Sequence, residues 1–318
     1  MHFTTKIPIQ KSNFPIDYSS KIVLFGSCFA STMGEKFKYF KFQTTLNPFG
    51  IIFNPVSLKK IIERSIEKNY FTENDIFFHN ELWHCFEVHS ELSNSDKNVF
   101  LNSLNECIDA THKQLKAATH IIITLGTSWV YRNIETNQVV ANCHKVPQKQ
   151  FTKELLTIEE TEKSLKNIHT LIHSVNPNCK FIYTVSPVRH IKDGFMENTL
   201  SKAHLIAALH AYNFQFPSSS YFPSYEIMMD ELRDYRFYAE DMLHPNQTAI
   251  DYIWIKFFEN TISETEFGLM NEICSIQRGL KHRPFNKNTE SHQKFIADLK
   301  TKMTTIKNML PFISFENE

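Results

Sequence analysis

The stretch KIVLFGSCFAST, residues 21–32, contains an apolar run that stops at a Gly-Ser pair and turns at once into small residues. The apolar part, residues 22–25, predicts a buried β-strand, and the segment after Ser27 predicts a helix. An ordinary loop after a buried strand would more usually bring Asn, Asp or Pro. The stretch therefore indicates that the fold places Ser27 at a junction between a strand and a helix.

Further strand-like runs alternate with helix-like segments along the chain. The strand-like runs are residues 41–46, 120–125, 180–185 and, more weakly, 221–227. The helix-like segments include residues 201–212 and 248–258, and one that begins with the capping-box pair Thr157 and Glu160. Short buried strands between helices indicate a parallel sheet covered on both faces, and we expect five strands in the order 2-1-3-4-5.

Two segments lie outside this alternation. Residues 76–90 carry two aromatic runs around a polar His-Asn-Glu, which predicts a hairpin within an insertion at about residues 70–100. After residue 260, apolar residues recur at helical spacing on both sides of a break at Gly279 and Pro284. We therefore expect a main domain over residues 1–260 and a C-terminal helical hairpin over residues 261–318 that packs on it.

The composition excludes several classes of function. Lys plus Arg and Asp plus Glu each number 34, so no charge imbalance points to nucleic acid or to an anionic membrane. The first 20 residues lack the long apolar core of a signal peptide, and no apolar run approaches the roughly 20 residues that span a bilayer, so we expect neither a signal peptide nor a membrane span. Its six cysteines and 15 histidines form no metal-ligand spacing, and no nucleotide-binding glycine loop occurs. We expect a cytoplasmic protein that needs neither a metal nor another cofactor, and its oligomeric state stays open.

Polar residues follow each of the five predicted strands. The groups are residues 26–27, 47–50, 126–128, 186–190 and 241–244. The carboxyl ends of parallel strands meet at one edge of a sheet, and ligands bind outside that edge in open α/β proteins. The five groups therefore predict a single functional site at the carboxyl edge of the sheet.

The residue types at this edge are those of acyl transfer. A serine hydroxyl becomes a nucleophile when a histidine takes its proton, and a carboxylate fixes the tautomer of that histidine. Asp241-x-x-His244 supplies both partners of Ser27, and Pro245 suits the first turn of a helix at residues 246–258. The structural alternatives are a helix cap for Ser27 and the start of a helix for the Asp-His pair.

The same groups resemble the four blocks of the SGNH/GDSL-type hydrolases. More narrowly, GSCFA at residues 26–30 is similar to the signature of the GSCFA-domain family, a bacterial branch of that superfamily. The segments SPVRH at 186–190, PSYEI at 223–227 and DMLHP at 241–245 also resemble that family. The resemblance covers roughly residues 20–260. It implies a three-layer α/β/α, SGNH-hydrolase-like (flavodoxin-like) fold and a serine-dependent esterase or O-acyltransferase.

Carried onto this sequence, the resemblance implies a role for each member of the Ser-Asp-His set. Ser27 would be the nucleophile, His244 its general base and Asp241 the carboxylate that orients the histidine. Cys28 is the alternative nucleophile, because a thiol is intrinsically more reactive, but we expect it to pack as a small apolar residue. The reaction would pass through an acyl-Ser27 intermediate.

The resemblance also implies an oxyanion hole, with the N–H groups of Ser27 and Gly50 as donors. SGNH enzymes usually carry an asparagine as a third donor, and Ser128 occupies the matching position here. The Ser128 hydroxyl, Thr127 or the Asn47 amide could donate in its place, or these residues serve only as caps and turns.

The substrate is the least determined part of the prediction. Thr127, His144, Arg189 and His190 could bind an anionic or hydroxylated substrate, or be ordinary structural residues. We expect a small-molecule, glycan or lipid ester that carries an acetyl or short acyl group. Water as acceptor makes an esterase, and a sugar, lipid or peptidoglycan hydroxyl makes an O-acyltransferase. The alternative is a non-catalytic module that binds a carbohydrate or acyl group, which the serine at position 128 favours and the intact Ser-Asp-His set opposes.

Overall fold

The computed structural model describes residues 5–213 and 215–315. The strands are β1 (Lys21–Gly26), β2 (Gln43–Leu46), β3 (Phe77–His79), β4 (Leu82–His84), β5 (His120–Leu125), β6 (Trp129–Asn133), β7 (Val139–Val140), β8 (Phe151–Leu155), β9 (Lys180–Val185) and β10 (Ser219–Tyr221). The helices are α1 (Cys28–Tyr39), α2 (Pro55–Glu67), α3 (Lys97–Ala117), α4 (Ile158–Val175), α5 (Phe195–Asn213), α6 (Ser224–Glu226), α7 (Gln247–Thr261), α8 (Phe267–Lys281) and α9 (Glu290–Met309).

The core of the fold is a five-stranded parallel sheet with the order β10-β9-β5-β1-β2. In chain order this is 2-1-3-4-5, so the predicted topology is confirmed. The predicted bounds of the last strand are wrong: the strand covers residues 219–221, and the chain then turns into α6. Ser224 accounts for the turn, because its hydroxyl donates to Val185 O at 2.7 Å and ties the segment to the end of β9.

Helices cover both faces of the sheet, which makes three layers. Along β1, Val23 and Phe25 face one hydrophobic cluster, and Ile22 and Leu24 face the other. Helices α2, α3, α4 and α5 pack on the first face, while α1, α7 and α8 pack on the second. The predicted α/β/α class is therefore confirmed, and the near-continuous apolar strands are explained by burial on both faces.

The helix signals in the sequence mark real helix starts. Thr157 Oγ1 accepts the Glu160 N–H at 3.1 Å, and Glu160 Oε2 accepts the Thr157 N–H at 2.8 Å, which confirms the capping box of α4. The start of α7 differs from the prediction. Asn246 is its N-cap and accepts the Ala249 N–H at 3.1 Å, so Pro245 lies before the helix instead of in its first turn.

Two small sheets lie beside the central one. β3 and β4 form the predicted antiparallel hairpin. β6, β7 and β8 form an antiparallel sheet of their own, which the sequence analysis did not predict. These strands are short, and charged residues interrupt them, as in the β8 sequence FTKEL, so they lack the clean alternation that identifies a strand.

The C-terminal segment is the predicted pair of helices. α8 joins the core through Met270, Ile273 and Ile276, and α9 packs on α8. Gly279 permits the close approach, because a Cβ at this position would lie 2.9 Å from Leu299 Cδ1. The domain boundary at residue 260 stays a proposal. Among the helices that the structure describes, none is long and apolar enough to cross a membrane.

Candidate active site

Ser27 lies at the corner where β1 becomes α1. It is the N-cap of α1, is 1% exposed, and its Oγ accepts the Phe29 N–H at 3.2 Å. Its own N–H donates to Thr124 O at 3.1 Å, so the sheet uses this predicted oxyanion donor. Gly26 makes the corner possible: its φ is +133°, and a Cβ there would lie 2.1 Å from Thr124 O.

Asp241 and His244 form a hydrogen-bonded pair, which we call the dyad. Asp241 Oδ2 lies 2.5 Å from His244 Nδ1, and Asp241 Oδ1 accepts the N–H groups of Leu243 at 2.9 Å and His244 at 3.0 Å. The two backbone N–H groups, followed by the imidazole, lower the pKa of Asp241 to about 2. Asp241 is therefore a carboxylate at neutral pH, and its hydrogen bond with Nδ1 favours the imidazole tautomer that carries the proton on Nδ1 and presents Nε2 as the acceptor.

The dyad and Ser27 lie at the same edge of the sheet without a direct bond between them. Burial is the largest cause of the lowered pKa of His190 and of the raised pKa of Cys28, next to Ser27, and the charges of His244 and Asp241 make smaller contributions to these two shifts. Within the described residues, Ser27 Oγ makes its hydrogen bond with Phe29 and makes none with His244. Asp241 and His244 are thus paired with each other, while no hydrogen bond within the described residues joins Ser27 to His244.

The Cys28 thiol is not prepared for nucleophilic attack. Burial is the largest effect on it and raises its pKa, so the thiol stays protonated at neutral pH. Cys28 is partly buried, and its packing as a small apolar residue stays a prediction.

The turn after β2 braces the Ser27 corner. Asn47 Oδ1 accepts the Gly26 N–H at 2.9 Å, and Asn47 Nδ2 donates to Ser31 Oγ at 3.0 Å. The Gly50 N–H donates to Asn47 O at 2.8 Å and closes the turn. The two predicted oxyanion donors of this turn are thus occupied by bonds within the protein.

The hydroxyls after β5 point toward α5. Ser128 is fully buried, and its Oγ donates to Ser201 O at 3.1 Å. Thr127 Oγ1 lies 2.8 Å from Ser201 Oγ and accepts the Trp129 N–H at 3.0 Å. In this arrangement the Ser128 hydroxyl ties the loop after β5 to the middle of α5, and its role as an oxyanion donor stays a prediction.

A cleft of about 420 Å³ opens beside His244. Its lining includes Phe53, Thr127, Trp129, Tyr131, Arg189 and His190. Three of the four predicted substrate-binding residues thus border the cleft. The fourth, His144, packs in the interior: its Nε2 lies 2.7 Å from Cys85 O, and burial lowers its pKa to about 4.

Sequence reasoning missed Lys202, a fully buried residue of α5 at the carboxyl edge. Its Nζ donates to Gly126 O at 2.6 Å and to Ser186 O at 2.8 Å, and burial lowers its pKa to about 7. The Lys202 charge and, above all, burial lower the pKa of His190 to about 3, so His190 is neutral. The sequence signal that could have identified Lys202 was a single lysine within the mostly apolar helix segment SKAHLIAALHAY.

The fold and this site define an α/β protein that carries a serine and an Asp-His dyad at the carboxyl edge of a parallel sheet. Residues 21–257 match the model of the GSCFA family, and residues 273–318 match that of the GSCFA domain protein, C-terminal domain. The chain belongs to the GSCFA family.

The chain was also compared with solved structures and with curated proteins. The fold is similar to that of an acetyl xylan esterase (Est2A) from the rumen bacterium Butyrivibrio proteoclasticus, with a TM-score of 0.39 and 11% sequence identity over 81% of this chain and 67% of that chain. No curated protein gives a significant match to the chain.

Proposed function

We propose that this protein is a serine-dependent ester hydrolase that forms an acyl-Ser27 intermediate. The observation that carries the proposal is the dyad, because a carboxylate 2.5 Å from His244 Nδ1 leaves Nε2 as a base at the edge where Ser27 lies. The substrate class is an O-acyl carbohydrate, lipid or cell-envelope component with an acetyl or short acyl group, and the cleft beside His244 is the proposed binding site.

The first half of the reaction transfers the acyl group to the enzyme. Ser27 Oγ turns away from the Phe29 N–H, gives its proton to His244 Nε2 and bonds to the acyl carbon. The bond from that carbon to the alcohol oxygen then breaks, and the alcohol leaves with the proton from His244. Asp241 stabilises the imidazolium that exists between these two transfers.

The second half returns the enzyme to its starting state. Water gives a proton to His244 Nε2 and bonds to the acyl carbon, and Ser27 Oγ leaves and recovers that proton. The N-terminus of α1 lies next to Ser27, and its partial positive charge favours the oxyanion in both halves. The oxyanion roles of Ser27, Gly50, Asn47 and Ser128 stay predictions.

Two other functions use the same residues. An O-acyltransferase would use the same triad and pass the acyl group to a hydroxyl acceptor instead of water. A non-catalytic carbohydrate- or acyl-binding module is favoured by two observations: Ser27 Oγ is bonded to Phe29 instead of His244, and Ser128 is turned toward α5.

A fluorophosphonate probe tests the proposal, because it labels only a serine that a base activates. We expect a single adduct by intact-protein mass on the wild type and on Cys28→Ala, and none on Ser27→Ala. Hydrolysis of an aryl acetate should disappear with the adduct. A folded wild type that stays unlabelled would favour the binding module. Labelling with slow hydrolysis that a sugar alcohol accelerates would favour the acyltransferase.

A further inference from the structure

The dyad stands on an exposed turn, residues 241–244, which we call the dyad turn. The side chains of Asp241 and His244 are 45% and 49% exposed. The bend depends on Met242, which has a left-handed φ of +59° and is itself 47% exposed. Such a turn has little packing of its own to fix the position of the imidazole.

Local hydrogen bonds close the turn but do not attach it to the sheet. The Met242 N–H donates to Ala239 O at 2.9 Å, and the Ala239 N–H donates to His244 O at 2.7 Å. The bonds of Asp241 to Leu243 and His244 also stay inside the turn. They set its shape without setting its distance from Ser27.

Within the described residues, Arg189 makes every hydrogen bond that joins the dyad turn to another loop of the carboxyl edge. Its Nη2 donates to Met242 O at 2.9 Å, and its backbone N–H donates to Leu243 O at 3.4 Å. The guanidinium also lies over the ring of Tyr238 at 4.5 Å and near that of Tyr235 at 5.4 Å. These rings precede the dyad in the chain, and they fix the plane of the guanidinium.

The loop that carries Arg189 is itself fastened to α5 on both sides. Lys202 Nζ donates to Ser186 O at 2.8 Å, and Asn198 Oδ1 accepts the His190 N–H at 2.9 Å. Arg189 therefore extends from a fastened loop, and its side chain adds a second link from that loop to the dyad turn beside the backbone bond to Leu243 O.

We propose that Arg189 is a positioning residue for His244, which fastens the dyad turn to the loop after β9 and so sets the place of the imidazole relative to Ser27. The proposal rests on the proposed function, in which His244 is the base. A lysine at this position keeps the charge but lacks the planar guanidinium, which donates to Met242 O and stacks on two aromatic rings, so it is a poor substitute.

The test compares Arg189→Lys and Arg189→Met with Arg236→Lys, a matched change at an exposed arginine of the preceding turn whose side chain pairs with Asp234. We expect kcat for an aryl acetate to fall about tenfold in the lysine variant and about 100-fold in the methionine variant, with KM within about twofold, because small misplacement of a catalytic group has costs of this order. Arg236→Lys should keep the wild-type kcat.

Hydrogen–deuterium exchange provides a second measurement that does not need activity. We expect faster exchange confined to residues 239–246 in both Arg189 variants, with the wild-type pattern in Arg236→Lys. Wild-type kcat and exchange in the Arg189 variants would overturn the proposal, and so would faster exchange that spreads through β9 and α5. If the wild type has no esterase activity, the proposed function fails, while the exchange result still decides whether Arg189 holds the turn.

Discussion

The Ser27 corner and the dyad turn carry the two halves of the proposed mechanism, but they are built in opposite ways. Ser27 is 1% exposed and is held by the sheet, by α1 and by the turn after β2. The dyad side chains are about half exposed, and Arg189 supplies the turn's hydrogen bonds to the sheet edge. The contrast indicates that core packing fixes Ser27, whereas the position of His244 depends on a few surface contacts.

The largest effect predicted from this contrast is at the dyad, where a substitution should lower activity without lowering stability. His244→Gln removes the base but leaves the core untouched, so we expect kcat for an aryl acetate to fall about 10³- to 10⁴-fold with a nearly unchanged melting temperature. The control is His210→Gln, a change in α5 that touches no part of the dyad. Equal activity of the two variants would exclude His244 as the base.

At the Ser27 corner we expect a substitution to lower the stability of the fold, in contrast to the dyad. Gly26→Ala places a Cβ against Thr124 O at a φ of +133°, so we expect a loss of about 3 kcal/mol or more in the free energy of unfolding. Urea denaturation measures the loss, and fluorophosphonate labelling of Ser27 should fall with it. Gly268→Ala, where a Cβ meets nothing within 4 Å, is the matched control. Wild-type stability in Gly26→Ala would show that the corner relaxes.

The buried Lys202 should make the stability of the core depend on pH. Its pKa is about 7 in the folded protein and has its ordinary value of 10.5 when unfolded, so the unfolded chain binds more protons between these values. The contribution of Lys202 to stability therefore rises as the pH rises from 7 to 10.5, and it is lost as the pH falls through 7. Relative to Lys202→Met, the wild type should gain stability over this range in urea denaturation.

An exposed lysine provides the control for this measurement. Lys149→Met removes a charge that is solvated in both states, so its stability should run parallel to that of the wild type at every pH. A difference between wild type and Lys202→Met that does not change with pH would mean that Lys202 is protonated normally in the folded protein.

The sequence predicted the sheet better than the site, for a physical reason. Strand order and layers follow from apolar periodicity and from chain connectivity, both of which are local or topological. The dyad was also visible, because Asp241 and His244 are three residues apart in one turn. Arg189 was named only as a substrate-binding residue, a role that stays a prediction, and its bond to Met242 could not be predicted because the two residues meet only in the fold. Lys202 was missed because its partners, Gly126 and Ser186, are distant in sequence.

The smallest predicted effect concerns the position where the resemblance expects an oxyanion donor. The Ser128 hydroxyl donates to Ser201 O and is fully buried, so Ser128→Ala should lower the free energy of unfolding by about 1 kcal/mol through the lost hydrogen bond and change kcat by less than about threefold. Removal of a working oxyanion donor costs about 10²- to 10³-fold in kcat instead. Steady-state kinetics on an aryl acetate therefore separate the two roles. A large loss of kcat at wild-type stability would mean that the hydroxyl turns toward Ser27 during the reaction, and the loop after β5 would then be less rigid than its buried position indicates.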